Sequence, residues 1–181
     1  DEKERAEERI RELKKRTEEL LRESTRVNRE SKEHAKELLK RSEDTIRELD
    51  ERIRRLLERK KDGDRVRELV KEAKKRLKEV LEESEDLVRK LEEIDDESNR
   101  RSERLVREDE RILREARKLV EDGVDVDTVL ARLEESSKEV EDRSKRLNEE
   151  VKKVNEEVAK RIKELNEEVE RVLRRVAEEI E

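Results

Sequence analysis

The sequence predicts an all-α fold: three long antiparallel helices, up-down-up, forming one nearly straight bundle domain over residues 1–181. Three observations carry this expectation. Sixty per cent of the 181 residues are charged and 29% are hydrophobic, a composition that forms a core only if its few apolar residues are lined up. They are lined up, and they recur with the helical period, not the strand period. There is no Pro, and the only two glycines, Gly63 and Gly123, cut the chain into three nearly equal parts.

The first helix is expected over 1–61. Its stripe visits Ile10, Leu13, Thr17, Leu20, Ser24, Val27, Ser31, His34, Leu38, Ser42, Thr45, Leu49, Ile53 and Leu56, thirteen steps over 46 residues with a mean near 3.5. Lys60, Lys61, Asp62, Gly63 and Asp64 then read as a basic last turn, a glycine terminator and an Asp N-cap. A second helix follows over 65–121. Glu121, Asp122, Gly123, Val124 and Asp125 repeat the punctuation without the basic turn. Asp125 as N-cap lets Val124 pack on Val129 as a hydrophobic staple, with Asp127 as the other candidate cap. The third helix is placed over 126–181, where the path from Val129 to Val176 covers 47 residues in thirteen steps, near 3.6. Each helix spans roughly 80–90 Å at about 1.5 Å per residue. Such short connections force antiparallel neighbours.

Paired apolar residues such as Leu20-Leu21, Leu38-Leu39 and Leu56-Leu57 widen the stripe beyond a two-stranded coiled-coil seam, as suits a helix touching two neighbours. All three helices share an 18-residue repeat. Leu20, Leu21 and Ser24 recur as Leu38, Leu39 and Ser42; Ser84, Leu87 and Val88 as Ser102, Leu105 and Val106; Leu147, Asn148 and Val151 as Leu165, Asn166 and Val169. Eighteen residues are five turns of about 3.6, so the stripe does not drift around a straight helix.

The stripe is interrupted by short polar residues at core spacing. Folding the helices back places residue n near 125−n across the first turn and near 248−n across the second. Ser24, Thr25 and Asn28 then lie level with Ser98, Asn99 and Ser102, and with Ser144 and Asn148 of the third helix. Ser31 and His34 fall beside Asp95 and near Asn155. Ser42 and Thr45 fall near Ser84 and Asn166. Thr17 falls near Asp109 and Ser136-Ser137. The expectation is about four shared polar layers whose members satisfy one another, because an unpaired buried hydroxyl or amide costs about 1–3 kcal/mol.

The same composition narrows the function. Without cysteine there is no disulfide framework, thiol nucleophile or thiolate metal site. Without aromatics there is no stacking platform for bases, and the interleaved charges, net −6, leave no basic face for nucleic acid or for a membrane surface. No apolar run approaches a membrane span or a signal peptide, so a soluble chain with no targeting signal is expected. His34 is the only histidine, and Ser31 stands where a bundle metal site would carry Glu; a place in a polar layer is expected for it rather than metal binding, and a pH-sensing role, weak with one histidine, stays open if it is buried against Asp95. Asp95 and Asp109 are 14 residues apart, roughly 21 Å along a helix, too far for joint acid–base work. No catalytic, cofactor, metal or small-molecule site is expected.

With no Gln, Pro, Met or aromatics, one glycine per turn, a common 18-residue repeat and level Ser/Asn/His positions around Ser24, Asn28, Ser98, Asn99, Ser102 and Asn148, the whole chain resembles de novo designed helical bundles with buried hydrogen-bond networks. Within that class it is similar to the three-helix member of a designed heterodimer. The resemblance implies a synthetic origin and a protein-binding role: a separate helix or second chain completes the bundle, and the networks set its specificity. A homo-oligomer or a self-contained scaffold is the alternative. Under the binding reading Leu21, Leu39, Leu57, Val151, Val158 and Val169 are expected to stay partly exposed until a partner covers them.

Overall fold

The computed structural model describes the backbone of residues 1–59 and 63–180, and every side chain among these except Leu56, Arg59 and Ile180. Three α-helices account for nearly all of it: α1 (Glu2–Arg59), α2 (Asp64–Glu121) and α3 (Val126–Ile180), with no strand among the described residues. The bundle is therefore all-α, as the periodicity predicted. The predicted basic last turn at Lys60 and Lys61, and Asp62 with it, lie outside the described residues.

The second turn follows its sequence closely. Gly123 has φ +86°, a left-handed conformation that a Cβ would strain. Its N–H donates to Val120 O at 3.2 Å, and the Val124 N–H reaches back to Leu119 O at 3.0 Å, the paired bonds of a Schellman helix end. Asp125 caps α3: its Oδ2 accepts from the Thr128 N–H at 3.2 Å and from the Thr128 hydroxyl at 2.9 Å. The first turn differs from expectation. The Gly63 carbonyl accepts the Val66 N–H at 3.1 Å, so Gly63 stands at the start of α2. Asp64 is consequently the first helical residue, not the cap, and places its carboxylate at the positive end of the helix dipole.

The described residues form two compact units, each containing a segment of all three helices: residues 1–31 with 94–153, and residues 32–93 with 154–181. In the first, Ala6, Ile10 and Leu13 of α1 pack with Leu113, Ala116 and Val120 of α2 and with Val126, Val129 and Leu133 of α3. In the second, one cluster joins Leu49 and Ile53 to Leu77, Val80, Leu165 and Val169, and another joins Ala35 to Val88, Leu91, Val158 and Ile162. Ile53, Val80, Leu91, Ile162, Leu165 and Val169 are wholly buried, each adding about 1.5–3 kcal/mol of apolar burial.

Register is set by cross-helix pairs inside each unit. In the first, Thr17 meets Asp109 and Asn28 meets Asn99, so α1 and α2 run antiparallel, close to the predicted 125−n. Ser24 meets Asn148 there, and in the second unit Ser42 meets Asn166, an offset of 124 in both that makes α1 and α3 parallel. Ion pairs repeat the register at the surface: Arg9 Nε with Glu134 at 2.6 Å, Arg16 with Glu141 at 2.9 Å, Arg76 with Glu168 at 2.6 Å and Arg161 with Glu83 at 2.9 Å. Such solvated pairs add little stability and serve more to disfavour wrong registers than to hold the fold.

Candidate functional site: the buried polar layers

Polar side chains enter the interior because the helical stripe carries them there. Of the twelve polar residues buried among the described ones, ten belong to the first unit and only Ser42 and Ser84 to the second. The best-connected layer joins all three helices of the first unit. The Ser24 hydroxyl donates to Asn148 Oδ1 at 3.0 Å, and one turn on along α1 the Asn28 amide donates to Asn99 Oδ1. Ser24 and Asn28 are each 1% exposed and Asn99 is half-buried, so these bonds form out of water, where an unmade bond is most costly. In the second unit the Ser42 hydroxyl, wholly buried, donates to Asn166 Oδ1 at 3.1 Å.

The Thr17 hydroxyl lies 3.0 Å from Leu13 O and within bonding distance of Asp109 Oδ2. It carries one hydrogen and cannot donate to both acceptors at once. Burial pushes the Asp109 carboxyl above the usual carboxylate range; the Thr17 bond opposes this, while the neighbouring Glu110 and Glu108 push it further up. When protonated, Asp109 can donate to Thr17 while Thr17 donates to Leu13 O; when ionised, its Oδ2 competes with Leu13 O for the Thr17 hydrogen.

Several other expected members hold buried polar atoms that make no bond. The hydroxyls of Ser31, Ser84, Ser98, Ser102 and Ser137 have no hydrogen-bond partner among the described residues, nor do Asn28 Oδ1, Asp109 Oδ1 and Asn155 Oδ1. Ser144 is buried and Thr45 half-buried, and Asp95 is wholly buried. The expected level of Ser31, His34, Asp95 and Asn155 divides between the units: Ser31 and Asp95 lie in the first, His34 and Asn155 in the second.

Two expected layer members are corrected. His34 is exposed, and its neighbour Ala35 fills the interior position with no exposure at all. One residue is about 100° of helical rotation, enough to swing a side chain from core to solvent. Thr25 is exposed as well and spends its hydroxyl on Leu21 O at 2.9 Å, four residues back on its own helix. The exposed stripe is corrected in part: Leu21, Leu39 and Leu57 are half-buried, but Val151, Val158 and Val169 are covered by the chain itself at 1%, 6% and 0% exposure.

Among the described residues no cluster of three His, Cys, Asp or Glu could hold a metal ion, and no described helix is long and apolar enough to cross a membrane. No protein-family model, curated protein or solved structure matches the chain.

Proposed function

We propose that this chain is a protein–protein interaction module of designed type: it docks a further helix, and its interior polar residues decide which helix and in which register. The observation that carries the reading is the set of buried hydroxyls, Ser98, Ser102 and Ser137 foremost, that find no acceptor among the described residues. A closed scaffold gains nothing from them, since each costs about 1–3 kcal/mol. Buried polar groups have their best-attested use where register or partner must be chosen. The half-buried Leu105 and Leu147 supply apolar surface for docking. A second reading, a self-contained scaffold, is favoured by the covered Val151, Val158 and Val169 and by the bonds that Asn28, Asn148 and Asn166 already make inside the chain.

A panel of apolar-striped helical peptides, each carrying one Asn stepped along the stripe, separates the two. The module reading expects the chain to bind one register at least about tenfold more tightly than the rest, and expects the Asn99→Leu, Asn148→Leu double variant to lose that preference while staying helical. A monomer that melts in two states, takes up no apolar dye and binds no peptide would establish the scaffold instead.

A further inference from the structure

The first unit carries a furrow between α2 and α3 whose floor and rim differ in character. One stretch, about 220 Å³, is floored by Ile94, Ser98, Leu147 and Val151. The next, about 320 Å³, is floored by Leu105 and Leu147, and the two share Arg101, Leu147 and Glu150, so they are continuous. From Ile94 to Glu108 the furrow runs about 21 Å, four turns of helix. Ile94 is 38% exposed, one of three large apolar side chains so exposed among the described residues, the other two flanking the Gly123 turn. Ser98 lines the furrow at 5% exposure, and its hydroxyl, buried just beneath, has no partner among the described residues.

The rim of the larger stretch is basic in a chain of net charge −6, whereas the smaller stretch carries Glu97 and Glu150 beside Arg101. Around Leu105 and Leu147 stand Arg101, Arg104, Arg143 and Arg146 against only Glu108 and Glu150. Arg143 is paired with Glu108 and Glu139, and Arg101 with Glu97. Arg104 and Arg146 are exposed and make no ion pair among the described residues.

We infer that this α2/α3 furrow of the first unit is the docking face, and that its occupant is an acidic amphipathic helix of another chain. That helix sets Leu or Ile over Leu105, Leu147 and Ile94, brings a hydrogen-bonding side chain to Ser98, and flanks its apolar stripe with Glu or Asp facing Arg104 and Arg146. A second copy of this chain placed face to face would set these arginines against one another, so the occupant is a different, acidic segment. The inference rests on the helix-docking reading above and adds the face and the chemistry of the partner.

The test uses the full chain and two fluorescent peptides of about 20 residues with the same Leu stripe, one flanked by Glu and the other by Lys, followed by anisotropy at low and high salt. The Glu peptide is expected to bind at least about tenfold more tightly, with the advantage shrinking at high salt. Reversing Arg104 and Arg146 to Glu, at exposed positions with no ion pair to lose, is expected to transfer the preference to the Lys peptide while the helical signal stays unchanged. The matched reversal Arg114→Glu with Arg117→Glu, on the furrow between α1 and α2, is expected to leave it alone. Should the second pair of changes invert the preference and the first leave it untouched, the face is wrong but helix docking stands. Equal binding of both peptides overturns the acidic partner, and binding of neither overturns the docking reading too.

Discussion

Asp109→Asn is expected to stabilise the protein at neutral pH and to flatten part of its pH dependence. Asp109 is 1% exposed, its Oδ1 has no partner among the described residues, and its Oδ2 competes with Leu13 O for the single Thr17 hydrogen. Its carboxyl is raised by burial, so between the unfolded value and the raised folded value the folded state holds more protons than the unfolded one. The contribution to stability is therefore most favourable at low pH, declines as pH rises through that interval, and stands at its full penalty above the folded value. The amide of the variant keeps the shape of the carboxyl, is neutral throughout, and can donate to Thr17. An unpaired buried acceptor costs about 1–3 kcal/mol, so the variant gains about that much at pH near 7. In a chain of this size each kcal/mol moves Tm by about 2–4 °C. Thermal melts followed by circular dichroism from about pH 4 to about pH 8 read the effect, and the exposed carboxylates cancel between the two proteins. The Tm gap should open as pH rises. A gap that is constant with pH, or an Asn variant that melts lower at neutral pH, would refute the competition at Thr17.

Truncating Ile53 or Leu165 to Ala, both wholly buried, should cost about 2–5 kcal/mol in denaturant melts. Gly123→Ala should cost about 1–2 kcal/mol by forcing a Cβ into a left-handed residue, whereas Gly63→Ser, which meets nothing within 4 Å and adds a cap oxygen ahead of α2, should be neutral or stabilise by a few tenths of a kcal/mol. Arg76→Met should change stability by less than about 1 kcal/mol despite its two acidic partners, since the pairs are solvated. Losses of several kcal/mol there would mean that the surface pairs hold the fold.

The helices and their register were legible because both follow from periodicity and turn chemistry. The error at His34 came from reading the stripe step by step, where a step of three or four is a free choice and one wrong step turns the helix by about 100°, and the error at Thr25 from matching its height along the helix without its face. The 18-residue repeat already held the answer. Thr17 and Ile53 lie one repeat either side of Ala35, and all three are buried; His34 is one repeat on from Arg16, which is exposed. Thr25 likewise shares its phase with the exposed Glu7. Val151, Val158 and Val169 were placed too near the surface because the sequence shows which residues share a stripe but not how wide a strip two neighbouring helices cover. Which hydroxyls would find acceptors was not legible at all, since a bond is decided by distances of tenths of an ångström.

The same repeat defines what the polar residues replace. Asp109 occupies the phase of Ala73 and Leu91, Asp95 that of Leu77 and Leu113, and Asn28 that of Ile10, and every one of these apolar counterparts is buried. The positions are thus core positions by geometry, and an apolar residue at each would fit the backbone and spare the desolvation cost. The polar residues concentrate in the first unit, whose apolar cluster lies toward the Gly123 turn, and the stretch holding Ser24, Asn28, Ser98 and Asn148 stands outside that cluster. The basic furrow opens along that stretch, from Ile94 to Glu108. A helix seated there would add apolar contact over Leu105, Leu147 and Ile94 and bring an acceptor toward Ser98, the one residue with an unpartnered hydroxyl that lines the furrow. If Asn28→Ile with Asn99→Leu and Asp109→Leu raises stability but leaves binding strength and register preference unchanged, then the polar residues have no part in recognition, and the coincidence of furrow and polar stretch carries no functional meaning.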